Sequence, residues 1–166
     1  DAYAHTALGL ALQVTDADAA IRALEEALSI NSNLAVAHFG IGMAFVAGRQ
    51  PERAVSHLET AMRLSPRDPL SHLFNGMMGT AYFALGDYQA ALEWSSKGAL
   101  IVRGRGRIGA MRIAALAHLG REAEMIKERD ELLEIIPHLA ISRAVAANPG
   151  LGSAYEEGLR QAGLPE

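Results

Sequence analysis

Apolar residues along this chain return at helical spacing, three and four positions apart, and Gly, Pro or Asp interrupts the pattern at short intervals. The pattern predicts helices over residues 2–13, 16–30, 34–47, 51–64, 70–85, 87–102, 107–119 and 121–135. Thr15 and Asp18 have capping-box spacing ahead of the second helix. Gly48 followed by Pro51 reads as one helix stopping and the next starting, because Gly tolerates the turn past a helix end and Pro suits a first helical turn. Asp68-Pro69 and Asp87 are further start signals, and Gly86 and Gly120 further stops.

The helices recur as pairs. Ala20, Leu24, Ala27 and Ile30 return 34 residues later as Ala54, Leu58, Ala61 and Leu64, and Ser32 returns as Pro66. The next offset is 37, taking Ala54, Ala61 and Leu64 to Ala91, Gly98 and Ile101, and the inserted Pro69 to Ser71 account for it. The offset of 34 then resumes from Gly86 to Gly120, Tyr82 to Leu116 and Ile101 to Ile135. The fourth unit departs, with Met125 and Leu132 where the others have small residues. Helix pairs at this period, with small residues at Ala20/Ala54/Ala91 and Ala27/Ala61 and Pro66 or Pro137 closing a unit, resemble the tetratricopeptide repeat (TPR). The resemblance implies an all-α, right-handed α-solenoid of about four helix pairs in units 1–34, 35–68, 72–105 and 106–137. Residues 138–166 do not repeat. Ser153 and Glu156 again have capping-box spacing, predicting a helix over 154–161 that ends at Gly163 before Pro165 and caps the last unit.

Composition narrows the function classes. The chain has 166 residues, half of them apolar but 5% aromatic, with 31 alanines and no cysteine. Disulfide and cysteine-zinc chemistry are therefore excluded, and small side chains suited to close helix packing dominate. A net charge of −4 argues against a nucleic-acid binder relying on bulk charge. No run approaches the roughly 18 apolar residues of a membrane span. The start at Asp1, without a basic and apolar leader, predicts a piece of something longer.

Candidate chemistry is sparse. Gly104 to Gly109 matches G-x-G-x-x-G, but a dinucleotide site needs a strand before it and a βαβ unit around it, so the segment reads as an interhelix turn. Arg103, Arg105 and Arg107 lack interleaved aromatics and read as a solvated loop. His5, His38 and His72 recur about one repeat apart and could approach one another, yet no carboxylate accompanies them at ligand spacing. There is no Gly-x-Ser-x-Gly elbow, and paired carboxylates such as Glu25-Glu26 sit on polar helix faces. The expectation is a non-enzymatic chain with no cofactor and no metal.

The third predicted helix is the most informative. His38, Ile41, Gly42 and Phe45 form one stripe and Phe39, Met43 and Val46 another, so the helix is apolar nearly all round. One stripe should meet its own repeat and the other face the concave side. Leu73 and Met77, with Phe83 beside them, continue that surface, and Leu12 and Met111 extend it at either end. Such a groove suits a partner helix or extended peptide. Gln13, Asn75 and Arg107 are its few candidates for a carboxylate, so an apolar ligand is expected over an acidic tail. The alternative is that a tighter superhelix buries the stripe, or that residues 138–166 fold into it.

Three stretches, 38–44 (HFGIGMA), 54–69 (AVSHLETAMRLSPRDP) and 157–166 (EGLRQAGLPE), resemble the C-terminal TPR region of bacterial class III adenylate/guanylate cyclase-like multidomain regulators. That family places its chemistry in a separate N-terminal domain, so no catalytic residue carries over, and Glu166 is expected near a C-terminus. The resemblance implies part of a larger bacterial signalling protein, either a scaffold for a protein or peptide partner or a regulatory, homodimerising domain controlling an attached cyclase-like domain. No nucleic-acid partner and no direct membrane insertion are expected. The compartment expected is cytoplasmic, or periplasmic if a membrane span precedes this region.

Overall fold

The structure, a computed structural model, describes every residue except 14, 70 and 100–105, and the backbone alone of 98 and 99. Its α-helices are α1 (Ala2–Leu12), α2 (Ala17–Ile30), α3 (Ala35–Ala47), α4 (Pro51–Leu64), α5 (Ser71–Ala84), α6 (Tyr88–Ala99), α7 (Gly106–His118), α8 (Glu122–Ile135), α9 (Ile141–Ala147) and α10 (Gly152–Gln161). A 3₁₀ turn, Pro149–Leu151, joins α9 to α10. The first eight pair in chain order, and each pair stacks on the next through α2 on α3, α4 on α5 and α6 on α7. Among the described residues there is no strand. The architecture is the expected all-α solenoid of four helix pairs, followed by a helical C-terminal segment.

The small residues at the repeat positions explain the close pairing. A Cβ built on Gly42 would lie 2.8 Å from the Leu58 side chain, and one on Gly79 would lie 2.9 Å from the Ala91 carbonyl. Ala20, Ala27, Ala54, Ala61 and Ala91 have no solvent access. At these crossings any larger side chain would push the helices apart, at a cost of roughly 1–3 kcal/mol.

Two local readings are corrected. The cap of α2 is Asp16, whose carboxylate accepts from the Ala19 N–H at 2.9 Å, and not Thr15. The Ser153–Glu156 capping box does not form, because α10 begins at Gly152, whose positive φ of 68° turns the chain out of the 3₁₀ turn. As expected, α3 stops at Gly48 and α4 starts at Pro51, although Gly48, at φ −79°, is not in the left-handed region. The chain closes identically past α3, α5 and α7: Gln50 N–H donates to the Phe45 carbonyl, Asp87 N–H to that of Tyr82 and Arg121 N–H to that of Leu116. Gly86 and Gly120 take the left-handed residue this closure requires, but after α3 it is Arg49, at φ 58°. Asp87 does cap α6, accepting from the Ala90 N–H at 3.0 Å.

The fourth pair is built differently. Arg112 of α7 makes a bidentate pair with Glu128 of α8, and its other nitrogen donates to the hydroxyls of Ser95 and Ser96 on α6. A half-buried, fork-shaped contact of this kind ties three helices together in the pair that buries Met125 and Leu132.

Residues 138–166 form two helices and a turn, not the single helix the spacing predicts. They leave the end of α8 and turn back over the inner side, α10 lying along α7 and the 3₁₀ turn reaching α3 and α5. A Cβ on Gly158 would lie 2.8 Å from Ala114, and one on Gly150 would lie 1.9 Å from the Val46 carbonyl, so both glycines mark places where backbone meets backbone. The Ile141 N–H donates to the Pro165 carbonyl at 2.7 Å, pinning the segment's two ends together.

Candidate functional site

The inner side of the solenoid is lined by α1, α3, α5 and α7, and the C-terminal segment divides it. At its open part lies a cavity of about 280 Å³ between α3, α5 and the segment, walled by Met43, Val46, Met77 and Thr80, with Gln13 from the end of α1 and Arg107 from the start of α7. Ala146 to Leu151 form the remaining wall. Of the residues expected to line a groove, the structure therefore brings Met43, Val46 and Met77 to one cavity. Phe39 does not line it; it is half-buried, its ring 4.8 Å from that of Phe74. Leu12 is half-buried, and Leu73 is exposed.

Phe83 and Met111 have a different fate. They are 2% and 0% exposed, and both belong to a core built jointly from α5, α7 and the C-terminal segment. Tyr155 meets the Phe83 ring edge-on at 5.8 Å, and Leu151, Leu159 and Leu164 complete the cover. Over this half, the alternative in which residues 138–166 fold into the groove describes the arrangement.

The polar groups around the cavity are mostly committed. Gln13 donates to the Gly40 carbonyl at 2.8 Å, and Thr80 to the Gly76 carbonyl at 3.0 Å. Asn148, buried in the segment, accepts from the Arg107 Nε at 3.3 Å and donates to the Tyr155 hydroxyl at 3.2 Å. Burial pushes the Tyr155 phenol well above its ordinary range, so it stays neutral and holds the segment as a hydrogen-bonding, not an ionic, element. His118 bonds the Ala154 carbonyl at 2.6 Å through Nε2, while its ring stacks on Tyr88 at 4.5 Å. The role of Asn148, Tyr155 and His118 had no signature in the sequence. The nearest signal was the density of glycine at 150, 152 and 158.

The histidine reading is corrected too. His38 pairs across to His57, Nδ1 to Nδ1 at 3.1 Å, rather than along the repeat to His5 or His72, because α3 and α4 are antiparallel partners whose faces meet. Burial holds both rings below their ordinary pKa of 6.5. Gly106 to Gly109 form the first turn of α7, and a Cβ on Gly106 would lie 3.2 Å from Ile136, so packing explains that glycine. Arg103, Gly104 and Arg105 lie outside the described residues.

No family model matches the chain, and no curated protein matches it. Among solved structures it is similar to YrrB, described as a TPR protein with an unusual peptide-binding site. That likeness has a TM-score of 0.69 at 22% sequence identity, and it covers 98% of this chain and 84% of that one. Four stacked helix pairs, small residues at their crossings and this likeness together give the chain a TPR fold.

Proposed function

We propose that this chain is a non-catalytic protein-interaction module whose inner groove takes an apolar side chain of a partner helix or peptide. The cavity walled by Met43, Val46 and Met77 carries the reading. Two thioethers give it an adaptable wall, and Gln13, Thr80 and Arg107 place a few polar groups at its edge. Its volume of about 280 Å³ falls below the roughly 300–1,000 Å³ of small-molecule sites, so it suits one or two side chains of a longer ligand. Phe39, Leu73 and Leu12 would flank that ligand, and Phe83 and Met111 would join the surface when the C-terminal segment lifts. Similarity to a TPR protein with a peptide-binding site supports a ligand of the same class. Membership of a larger signalling protein, beside an adenylate/guanylate cyclase-like domain, rests on the sequence resemblance.

The test is titration with a labelled amphipathic peptide bearing Leu, Met and Phe at i, i+3, i+4 and i+7, followed by anisotropy. A Met43→Glu/Met77→Glu double variant is expected to weaken binding at least about tenfold, or about 1.4 kcal/mol, while keeping its helical content. Unchanged binding by a folded double variant sinks the assignment.

A further inference from the structure

We infer that the cavity takes an extended partner peptide with an Asp or Glu close to its apolar residue, and that Arg107 holds that carboxylate. The inference rests on the groove reading and adds the ligand's charge to it. Among the described residues that wall the cavity, Arg107 alone is charged. Its Nε donates to the Asn148 Oδ1 at 3.3 Å. Asn148 is 5% exposed and is itself fixed, donating to the Ala144 carbonyl at 3.3 Å and to the Tyr155 hydroxyl at 3.2 Å. A buried amide tied to both α9 and α10 therefore anchors an exposed guanidinium at the cavity wall.

That anchoring uses Nε and leaves the fork of the side chain open. Among the described residues, no hydrogen bond or ion pair engages Nη1 or Nη2. No Asp or Glu stands at residues 14, 70 or 98–105, so every carboxylate side chain of residues 1–166 is described, and none pairs with Arg107. The two parallel N–H groups of Nη1 and Nη2 match the two oxygens of a carboxylate. With one cation in the wall, one carboxylate is matched and an acidic tail is not. The other polar groups select a peptide that runs through over one that ends here. Gln13 spends an Nε2 hydrogen on the Gly40 carbonyl, and Thr80 its hydroxyl hydrogen on that of Gly76, so each has an acceptor oxygen left over. Such oxygens repel a chain-end carboxylate and match amide N–H groups, which an extended backbone offers and a helix keeps for its own bonds.

The test is a set of labelled, end-blocked nonapeptides with a central Leu-Met in a Gly/Ser background, carrying Glu or Gln at each other position in turn, titrated by anisotropy. Glu is expected to bind at least about fivefold more tightly than Gln at one position or at two neighbouring ones. Arg107→Gln changes an exposed side chain and leaves the apolar wall intact. It should erase the Glu preference while binding still depends on Leu-Met, and Arg107→Lys, a charge without the fork, should keep only part of the preference. Equal affinity for Glu and Gln at every position, with the Leu-Met dependence retained, overturns this inference and leaves the groove reading standing. A Glu preference that survives in folded Arg107→Gln also overturns it, as does a preference confined to an unblocked peptide ending at the Met. Loss of the Leu-Met dependence itself sinks the groove reading and this inference together.

Discussion

At the N-terminal end, α1 leaves Leu8 half exposed at a position where Ile41 of α3 and Met78 of α5 have no access to solvent; at the C-terminal end, Phe83, Met111, Ile113 and Leu116 are buried almost completely in a core to which α10 and the 3₁₀ turn contribute. Within residues 1–166 the two ends pose the same physical problem, since the outermost pair of a stack has one apolar side with no neighbour in that stretch. The C-terminal end solves it with a segment that does not continue the stack but bends inward, so one stretch of chain closes the solenoid and shortens its groove. The lesson is that capping and groove access are coupled here: what packs on the last repeats also sets how much inner surface stays open.

Substitutions that break one end and spare the other would sharpen this contrast. The largest effect is expected from Tyr155→Ala, which empties a fully buried ring site and removes one of the hydrogen-bond partners of Asn148. It should cost about 3–5 kcal/mol in urea denaturation. Hydrogen exchange should locate the loss in α7 to α10 and leave α1 to α4 protected; uniform loss would show that the two halves unfold as one. A smaller effect, roughly 1–3 kcal/mol, is expected for Gly150→Val, whose Cβ has no room beside the Val46 carbonyl. Here the readout is groove access: oxidation of Met43 and Met77 to the sulfoxide by dilute peroxide should quicken, and unchanged rates would mean the turn does not guard the cavity. The smallest effect concerns the N-terminal half alone. Because burial holds His38 and His57 below their ordinary 6.5, the unfolded chain binds more protons near that value. Stability therefore falls as pH drops through 6.5, and the thermal midpoint should decline by a few degrees between about pH 7.5 and about pH 5.5. His57→Gln should flatten that slope, and an equal slope in the variant would assign it elsewhere.

Much of the solenoid was legible because its physics is local. Small residues 34 apart, Gly86, Gly120 and Pro51 at the turns and helical apolar spacing each act within a repeat or on the next one. The exceptions are equally instructive. Arg49 occupies a left-handed turn that composition would assign to the adjacent Gly48, since the closure depends on where α3 ends rather than on residue preference. Asp16 outcompetes Thr15 as a cap because its carboxylate reaches the Ala19 N–H. For the candidate site, spacing located the stripe of Met43, Val46 and Met77 but could not show that Phe83 and Met111 are covered, as the contacts covering them come from a segment remote in sequence. Arg112 was unreadable for a related reason: its partners Ser95, Ser96 and Glu128 come from two other helices.

The meeting of Gly150 with Val46 also imposes an order in time. Nearest-neighbour helix pairs close short loops and can form as soon as they are made, whereas this contact joins the second repeat to a turn that follows the fourth. On a ribosome, α3 and α5 are complete while α9 and the turn are still unsynthesised. The inner face therefore passes through a period in which it is made but not yet covered, and the C-terminal segment closes over a surface that has already formed.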